Sequence, residues 1–267
     1  MNRIEERFKA LAEKGTPAFI PYITAGDPTL DVTERIVLEL EKAGADIIEF
    51  GVPFSDPVAD GVVNQEAAQR ALKHGVSLRD IIKRVKKLRE SSEIPIVLFT
   101  YFNPVLAYGV EAFAEDAKDA GVDGVLCVDL PPEEAAEYKR HLDARGIAAI
   151  FLLAPTSTPD RIEMIARNAT GFVYYVSRTG VTGERDSIEA TVKGMVAEIK
   201  KHTDKPVAVG FGISTPAQAA EVAGFAEGVV VGSAIVRLIG ELGESPETAP
   251  KVGAFVKSLV TAVKETA

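Results

Sequence analysis

Hydrophobic positions fall into short runs separated by longer amphipathic stretches, and the alternation repeats from one end of the chain to the other. The apolar runs predict strands at 18–23, 47–50, 96–100, 124–128, 148–153, 171–176, 206–210 and 228–231. These runs are nearly continuously apolar, as in parallel strands covered by helices on both faces. Polar amphipathic stretches such as 78–90 and 110–120 predict helices between them. The entries EKAGADIIEF, KDAGVDGVLCVD, VAGFAEGVVVGS and, more loosely, ARGIAAIFLL share one design: a glycine closes a helix and an apolar run starts two or three residues later. Glycine suits that place because a helix C-terminus often needs a left-handed residue. The repeated unit predicts βα modules instead of a sandwich. Eight of them predict an α/β chain folded as a single (β/α)8 TIM barrel over residues 1–267; an open doubly wound sheet usually needs fewer strands. No linker or low-complexity tract marks a domain boundary. Two connections are long, 51–67 and 177–187, and both follow strand ends, on the face where such barrels build their sites.

Composition narrows the function classes. The net charge of −9 argues against a nucleic-acid partner, which would recruit basic patches. A single cysteine, Cys127, excludes disulfide staples and a multi-thiolate metal site, and fits a reducing compartment. The first fifteen residues are charged and helix-like, without the apolar centre of a signal peptide, and no apolar run is long enough to span a bilayer. A soluble, cytoplasmic protein with no membrane partner is expected.

Three segments can carry chemistry. In IIEFGVPFSDPVADG (47–61), Glu49 lies inside an apolar strand near its C-terminal end. A carboxylate there is partly desolvated, which raises its pKa toward the range useful for proton transfer at neutral pH. Asp60 follows in a loop rich in proline and glycine. Position alone also allows Glu49 to be a strand residue held by a salt bridge, and Asp60 a plain turn former. In FVYYVSRTGVTGE (172–184), two glycines and two threonines suit a loop that closes over a ligand, with Gly183 offering a backbone N–H to phosphate; an ordinary connecting loop is the alternative. Tyr174 and its neighbour Tyr175 alternate across the strand, so only one faces the interior. In VGFGIS (209–214) and VVVGSAIV (230–237), Gly210, Gly212 and Gly232 allow close backbone approach, and Ser233 stands where a helix begins. Barrels frequently bind phosphate at these two turns.

Absences narrow the mechanism. No lysine or histidine ends a predicted strand on the site face; Lys205 precedes its strand and falls on the other. His74, His141 and His202 sit in polar helical surroundings, and Cys127 reads as a small core residue. Carboxylate acid–base catalysis without metal or cofactor remains.

At PYITAGDP (21–28), EFGVPFSDPVADG (49–61), VDLPPEE (128–134), SRTGVTG (177–183), GFGIS (210–214) and VVGSAIV (230–236), the chain closely resembles the tryptophan synthase alpha chain family. The stretches keep the family's order and cover essentially the whole chain. The resemblance implies an additional N-terminal helix, here 4–14, and retro-aldol cleavage of indole-3-glycerol phosphate to indole and glyceraldehyde 3-phosphate. It implies that Glu49 shuttles protons, that Asp60 holds the indole N–H, and that Tyr174 approaches the glutamate. Thr182 would belong to the closing loop, Gly183, Gly212, Gly232 and Ser233 to the phosphate site, and Phe211 and Tyr22 to the indole pocket. It further implies a tryptophan synthase beta chain as partner, in an alpha2-beta2 assembly, with pyridoxal phosphate only in that beta chain; segments 53–62, 103–104 and 129–132 would face it. The chain departs from the family after Gly61, where it reads Val62-Val63-Asn64-Gln65 in place of a proline, a small or branched residue, an apolar residue and Gln. Loss of the proline is expected to loosen the Asp60 loop by freeing a fixed φ, and Asn64 brings an amide to an apolar place. Another phosphosugar barrel enzyme and a non-catalytic regulatory subunit are the competing readings. The first would need different strand-end residues, and the retained Glu49 and Asp60 argue against the second.

Overall fold

The computed structural model describes residues 2–177, 185–210 and 212–266. Its strands are β1 (Ala18–Thr24), β2 (Ile48–Gly51), β3 (Ile96–Thr100), β4 (Gly124–Cys127), β5 (Ala148–Ile150), β6 (Leu152–Leu153), β7 (Val173–Val176), β8 (Val207–Gly210) and β9 (Gly228–Val231). The helices are α1 (Arg3–Glu13), α2 (Leu30–Lys42), α3 (Val62–Leu72), α4 (Leu78–Leu88), α5 (Phe102–Tyr108) and α6 (Val110–Ala120) in the first half. The second half carries α7 (Ala136–Asp143), α8 (Pro159–Asn168), α9 (Arg185–His202), α10 (Pro216–Ala223), α11 (Ser233–Leu242) and α12 (Thr248–Lys264).

Every strand pairing is parallel, in the order β5-β4-β3-β2-β1-β9-β8-β7-β6. The run 148–153, expected as one strand, is two. Its lower part pairs with β4 and its upper part with β7, and the chain changes partner at Phe151. The stagger of strands in a closed barrel requires such a handover. The Phe151 carbonyl still accepts the Tyr174 N–H at 3.3 Å, so β5 and β6 act as one stave and eight staves close the barrel. The connection 51–67 is shorter than expected, because α3 begins at Val62. The other long connection, 177–187, falls largely outside the described residues.

Alternation along each strand divides the apolar residues into two clusters. Ile48, Phe50, Leu98, Val125, Val173, Tyr175, Val209 and Val231 point outward against the helices. Ala18, Ile20, Ile47, Val97, Leu126, Ile150, Phe172, Tyr174, Ala208 and Val230 fill the interior. The same parity turns Glu49 inward, two residues beyond Ile47, and Tyr174 inward, with Tyr175 outside.

The additional N-terminal helix is present and closes the barrel floor. Asn2 caps α1 through a reciprocal capping box with Glu5. Ile4, Phe8 and Leu11 of α1 are buried in the interior cluster. On this lower face, carboxylates tie strand starts together. Asp46 accepts the Phe19 N–H at 2.8 Å and Lys264 Nζ at 2.7 Å, which fastens α12 to the start of β1. Asp123 accepts the Ile96 N–H at 2.9 Å and Arg89 at 2.8 Å.

Candidate active site

At the upper ends of the strands a cavity of about 390 Å³ opens, lined by Tyr22, Glu49, Asp60, Asn64, Phe99 and Tyr174 at one side. Gly212, Gly232, Ser233 and Arg237 line it as well. A wider groove of about 1040 Å³ lies on the opposite face around Asn2, Arg3, Arg89 and Asp123. Its Arg3, Arg89 and Asp123 are already paired with one another or with Glu93, and it is a solvated face between α1 and the strand starts.

Glu49 is fully buried, and neither carboxylate oxygen has a partner or reaches solvent. The salt-bridge reading of this residue therefore fails. Burial pushes its pKa from 4.5 up to about 8, because the charged form has lost water and gained no cation. At neutral pH Glu49 is a protonated acid. Tyr22 is its register partner across β1 and β2, and the Tyr22 ring meets Phe99 edge-on at 5.2 Å. The hydroxyls of Tyr22 and Tyr174 are driven well up by burial, with nearby carboxylates adding to it, so both stay protonated.

The two tyrosines owe their positions to glycines. A side-chain carbon at Gly51 would collide with the Tyr22 hydroxyl, and one at Gly210 with the Tyr174 hydroxyl. Each ring reaches across a neighbouring strand into the space a larger residue would fill. Gly210, read from sequence as a place for close ligand approach, is occupied in this way by Tyr174 and does not line the cavity.

Asp60 sits between β2 and α3 and is held from three sides. Tyr101 Oη donates to Asp60 Oδ2 at 2.9 Å while accepting the Ala59 N–H at 3.0 Å. Gln65 Nε2 donates to the Asp60 carbonyl at 2.9 Å. The Asn64 side chain reaches the Asp60 carboxyl from the first turn of α3. Burial raises the Asp60 pKa, and the Tyr101 and Asn64 contacts work against that rise. These bonds hold the loop that leads into α3.

Gly232 precedes α11, whose N-terminus carries no side-chain cap, and Ser233 is its first residue. Backbone N–H groups at such an end favour an anion. Arg237, one turn further on, adds a positive charge to the lining. Gly212 has φ +77, a left-handed conformation that glycine adopts without strain. Among the described residues, no three His, Cys, Asp or Glu side chains are grouped to hold a metal ion. Cys127 is buried behind the strand ends, and burial pushes its thiol up.

Of the residues singled out from sequence, Glu49, Asp60, Tyr174, Tyr22, Gly212, Gly232 and Ser233 meet around one cavity. Thr182, Gly183 and Phe211 lie outside the described residues. Tyr101 and Arg237 were not foreseen. Arg237 carried a usable signal, standing four residues after Ser233 and so on the same helix face; Tyr101 carried none, since its contact with Asp60 spans 41 residues.

The profile of one family, described as Tryptophan synthase alpha chain, matches residues 8–264. A tryptophan synthase alpha chain from Geobacter sulfurreducens is 52% identical over 99% of this chain and 98% of its own length. One from Opitutus terrae is 47% identical over 99% and 100%. Among solved structures, the tryptophan synthase subunit alpha of Legionella pneumophila superposes with a TM-score of 0.93 at 38% identity, covering 99% of each chain. A Mycobacterium tuberculosis tryptophan synthase chain superposes at 0.89 with 37% identity, covering 98% of each.

Proposed function

Since the chain belongs to the tryptophan synthase alpha chain family, and is a lyase that cleaves indole-3-glycerol phosphate to indole and glyceraldehyde 3-phosphate, we propose that Glu49 moves the protons of that cleavage. The observation that carries this reading is the buried, unpartnered carboxyl with its pKa raised to about 8. A group titrating near neutrality serves as both acid and base. Protonated Glu49 gives its proton to ring carbon C3, and positive charge spreads to the ring nitrogen. The Asp60 carboxylate accepts the ring N–H and stabilises that charge. Glu49, now a carboxylate, takes the proton of the hydroxyl on the side-chain carbon next to C3. The aldehyde C=O forms, the bond to C3 breaks, and its electron pair restores the indole ring. Glu49 ends protonated, ready for the next turnover. Tyr22 and Tyr174 keep water from the carboxyl while remaining neutral.

The uncapped start of α11, with Gly232 and Ser233, would hold the phosphate, supported by Gly212 and the charge on Arg237. By resemblance, Gly183 would belong to this site, Phe211 and Tyr22 to the ring pocket, and Thr182 to a closing loop. The cleavage would run on side chains alone in one barrel domain, residues 1–267.

Family membership implies a tryptophan synthase beta chain as partner, to which the indole passes for tryptophan synthesis. An alpha2-beta2 assembly with pyridoxal phosphate confined to the beta chain is the arrangement proposed. Val58, Val62 and Leu106 are exposed apolar residues in or beside segments 53–62 and 103–104, and they suit the docking face together with 129–132. Among the described residues no helix is long and apolar enough to cross a membrane; a cytoplasmic location is proposed. Indole release from indole-3-glycerol phosphate, by the purified chain alone and with beta chain, tests the reading. Release that rises with the partner supports it. Absence of release in both, with substrate bound, points to a regulatory subunit.

A further inference from the structure

We propose that Asp129 is a positioning residue for the cleavage: it fixes Tyr101, and through Tyr101 the carboxylate of Asp60. The inference rests on the reading of Asp60 as acceptor of the ring N–H and adds the group that aims it. Tyr101 stands at the N-cap position of α5 and provides no side-chain cap for that helix. The cap comes from another element. Asp129, two residues beyond β4, accepts the Phe102 N–H on its Oδ1 at 2.7 Å. A carboxylate facing a backbone donor at a helix start makes a short, charge-assisted bond. Cys127 Sγ donates to the same oxygen at 3.4 Å. The Val128 N–H donates to the Thr100 carbonyl at 2.9 Å, which seats the chain leading to Asp129 beside the end of β3.

The bond matters because of the peptide it holds. The Tyr101 carbonyl and the Phe102 N–H are the two ends of one planar unit. Thr100, fully buried, donates its Oγ1 to that carbonyl at 3.0 Å, and Asp129 takes the N–H. With both ends held the unit cannot turn, and the Tyr101 Cα within it is fixed. The Tyr101 ring packs on Phe54 with centroids 5.2 Å apart, and its hydroxyl meets Asp60 Oδ2 at 2.9 Å and the Ala59 N–H at 3.0 Å. Asp129 does not line the cavity, so its effect on the reaction passes through Tyr101. Without the Asp129 carboxylate the N–H end of the peptide is freed, and the hydroxyl loses its set place against Asp60. A misplacement of about 1 Å in such a group costs up to about a hundredfold in rate, and a partial relaxation costs less.

The test is steady-state indole release by the purified full-length chain without beta chain, because segment 129–132 is also proposed to dock that partner. Asp129→Ala should lower kcat by about fivefold and leave KM within about twofold, since Asp60 acts on charge that develops in the transition state. Asp129→Asn keeps a carbonyl acceptor for the Phe102 N–H and should recover most of that loss. In a Tyr101→Phe background, Asp129→Ala should cost less than about twofold, because the bond it aims is already gone. An equal loss in that background, or no loss in the chain alone, would overturn the positioning role and leave the reading of Asp60 standing. Unchanged rates in both Asp60→Asn and Tyr101→Phe would overturn that reading and this inference with it.

Discussion

Replacing Glu49 by Gln should change how stability depends on pH, and the size of the change follows from the burial of the carboxyl. In the native chain its pKa rises from 4.5 to about 8, so between these values the folded state holds a proton that the unfolded chain gives up. Stability from this group is fully present below pH 4.5 and is lost as pH rises toward 8. The loss is about 3 kcal/mol at pH 7 and about 5 kcal/mol well above pH 8. Glutamine cannot ionise, so the variant lacks this loss. Its NH2 group enters a site with no acceptor assigned to it, which adds an offset that does not vary with pH. Urea unfolding of both proteins from pH 5 to pH 9 separates the two effects. Variant stability minus native stability should climb by about 4 kcal/mol over that range. A difference that stays constant within about 1 kcal/mol would refute the raised pKa, and with it the resting protonation of Glu49.

Other predictions follow from the same geometry. Asp60→Asn should lower the cleavage rate by about a hundredfold or more, since it removes the charge facing the ring nitrogen; steady-state indole release measures it. Tyr101→Phe should cut cleavage less, by about tenfold, because Asp60 loses one of its donors and the Ala59 N–H its acceptor. Gly210→Ala should destabilise by about 1–3 kcal/mol and depress activity, because the new methyl collides with the Tyr174 hydroxyl; thermal unfolding and turnover together check it. Arg70→Met should cost about 3–5 kcal/mol, because Arg70 grips the buried Asp27 through two bonds of 2.7 and 2.9 Å. A loss below about 1 kcal/mol in denaturant unfolding would show that Asp27 is solvated after all.

Much of this architecture was legible in the residues because a parallel barrel writes both of its faces into short apolar runs. Once 47–50 is read as a strand, alternation alone sends Glu49 inward beside Ile47, and the absence of any lysine or histidine there leaves a carboxylate to do the chemistry. The glycine and serine at 232–233 were legible for a similar reason, as a strand end followed at once by a helix start. Other features depend on contacts between distant segments. The interruption at Phe151 comes from the stagger of the closed barrel, which no local pattern records. The filling of Gly210 by Tyr174 and the hold of Tyr101 on Asp60 each join different strands or loops. Nor could the sequence show that Gln65 and Asn64 would join Tyr101 in holding the loop that leads into α3.

Delivery of a proton from Glu49 to C3 of the indole ring is open to measurement by hydrogen exchange. Indole is incubated in D2O with glyceraldehyde 3-phosphate and the native chain, Glu49→Gln or Asp60→Asn, and deuterium at C3 is followed by NMR. Exchange at C3 is expected with the native chain, slower exchange with Asp60→Asn, and none above background with Glu49→Gln, although that variant still binds indole. Exchange by Glu49→Gln at the native rate would contradict it.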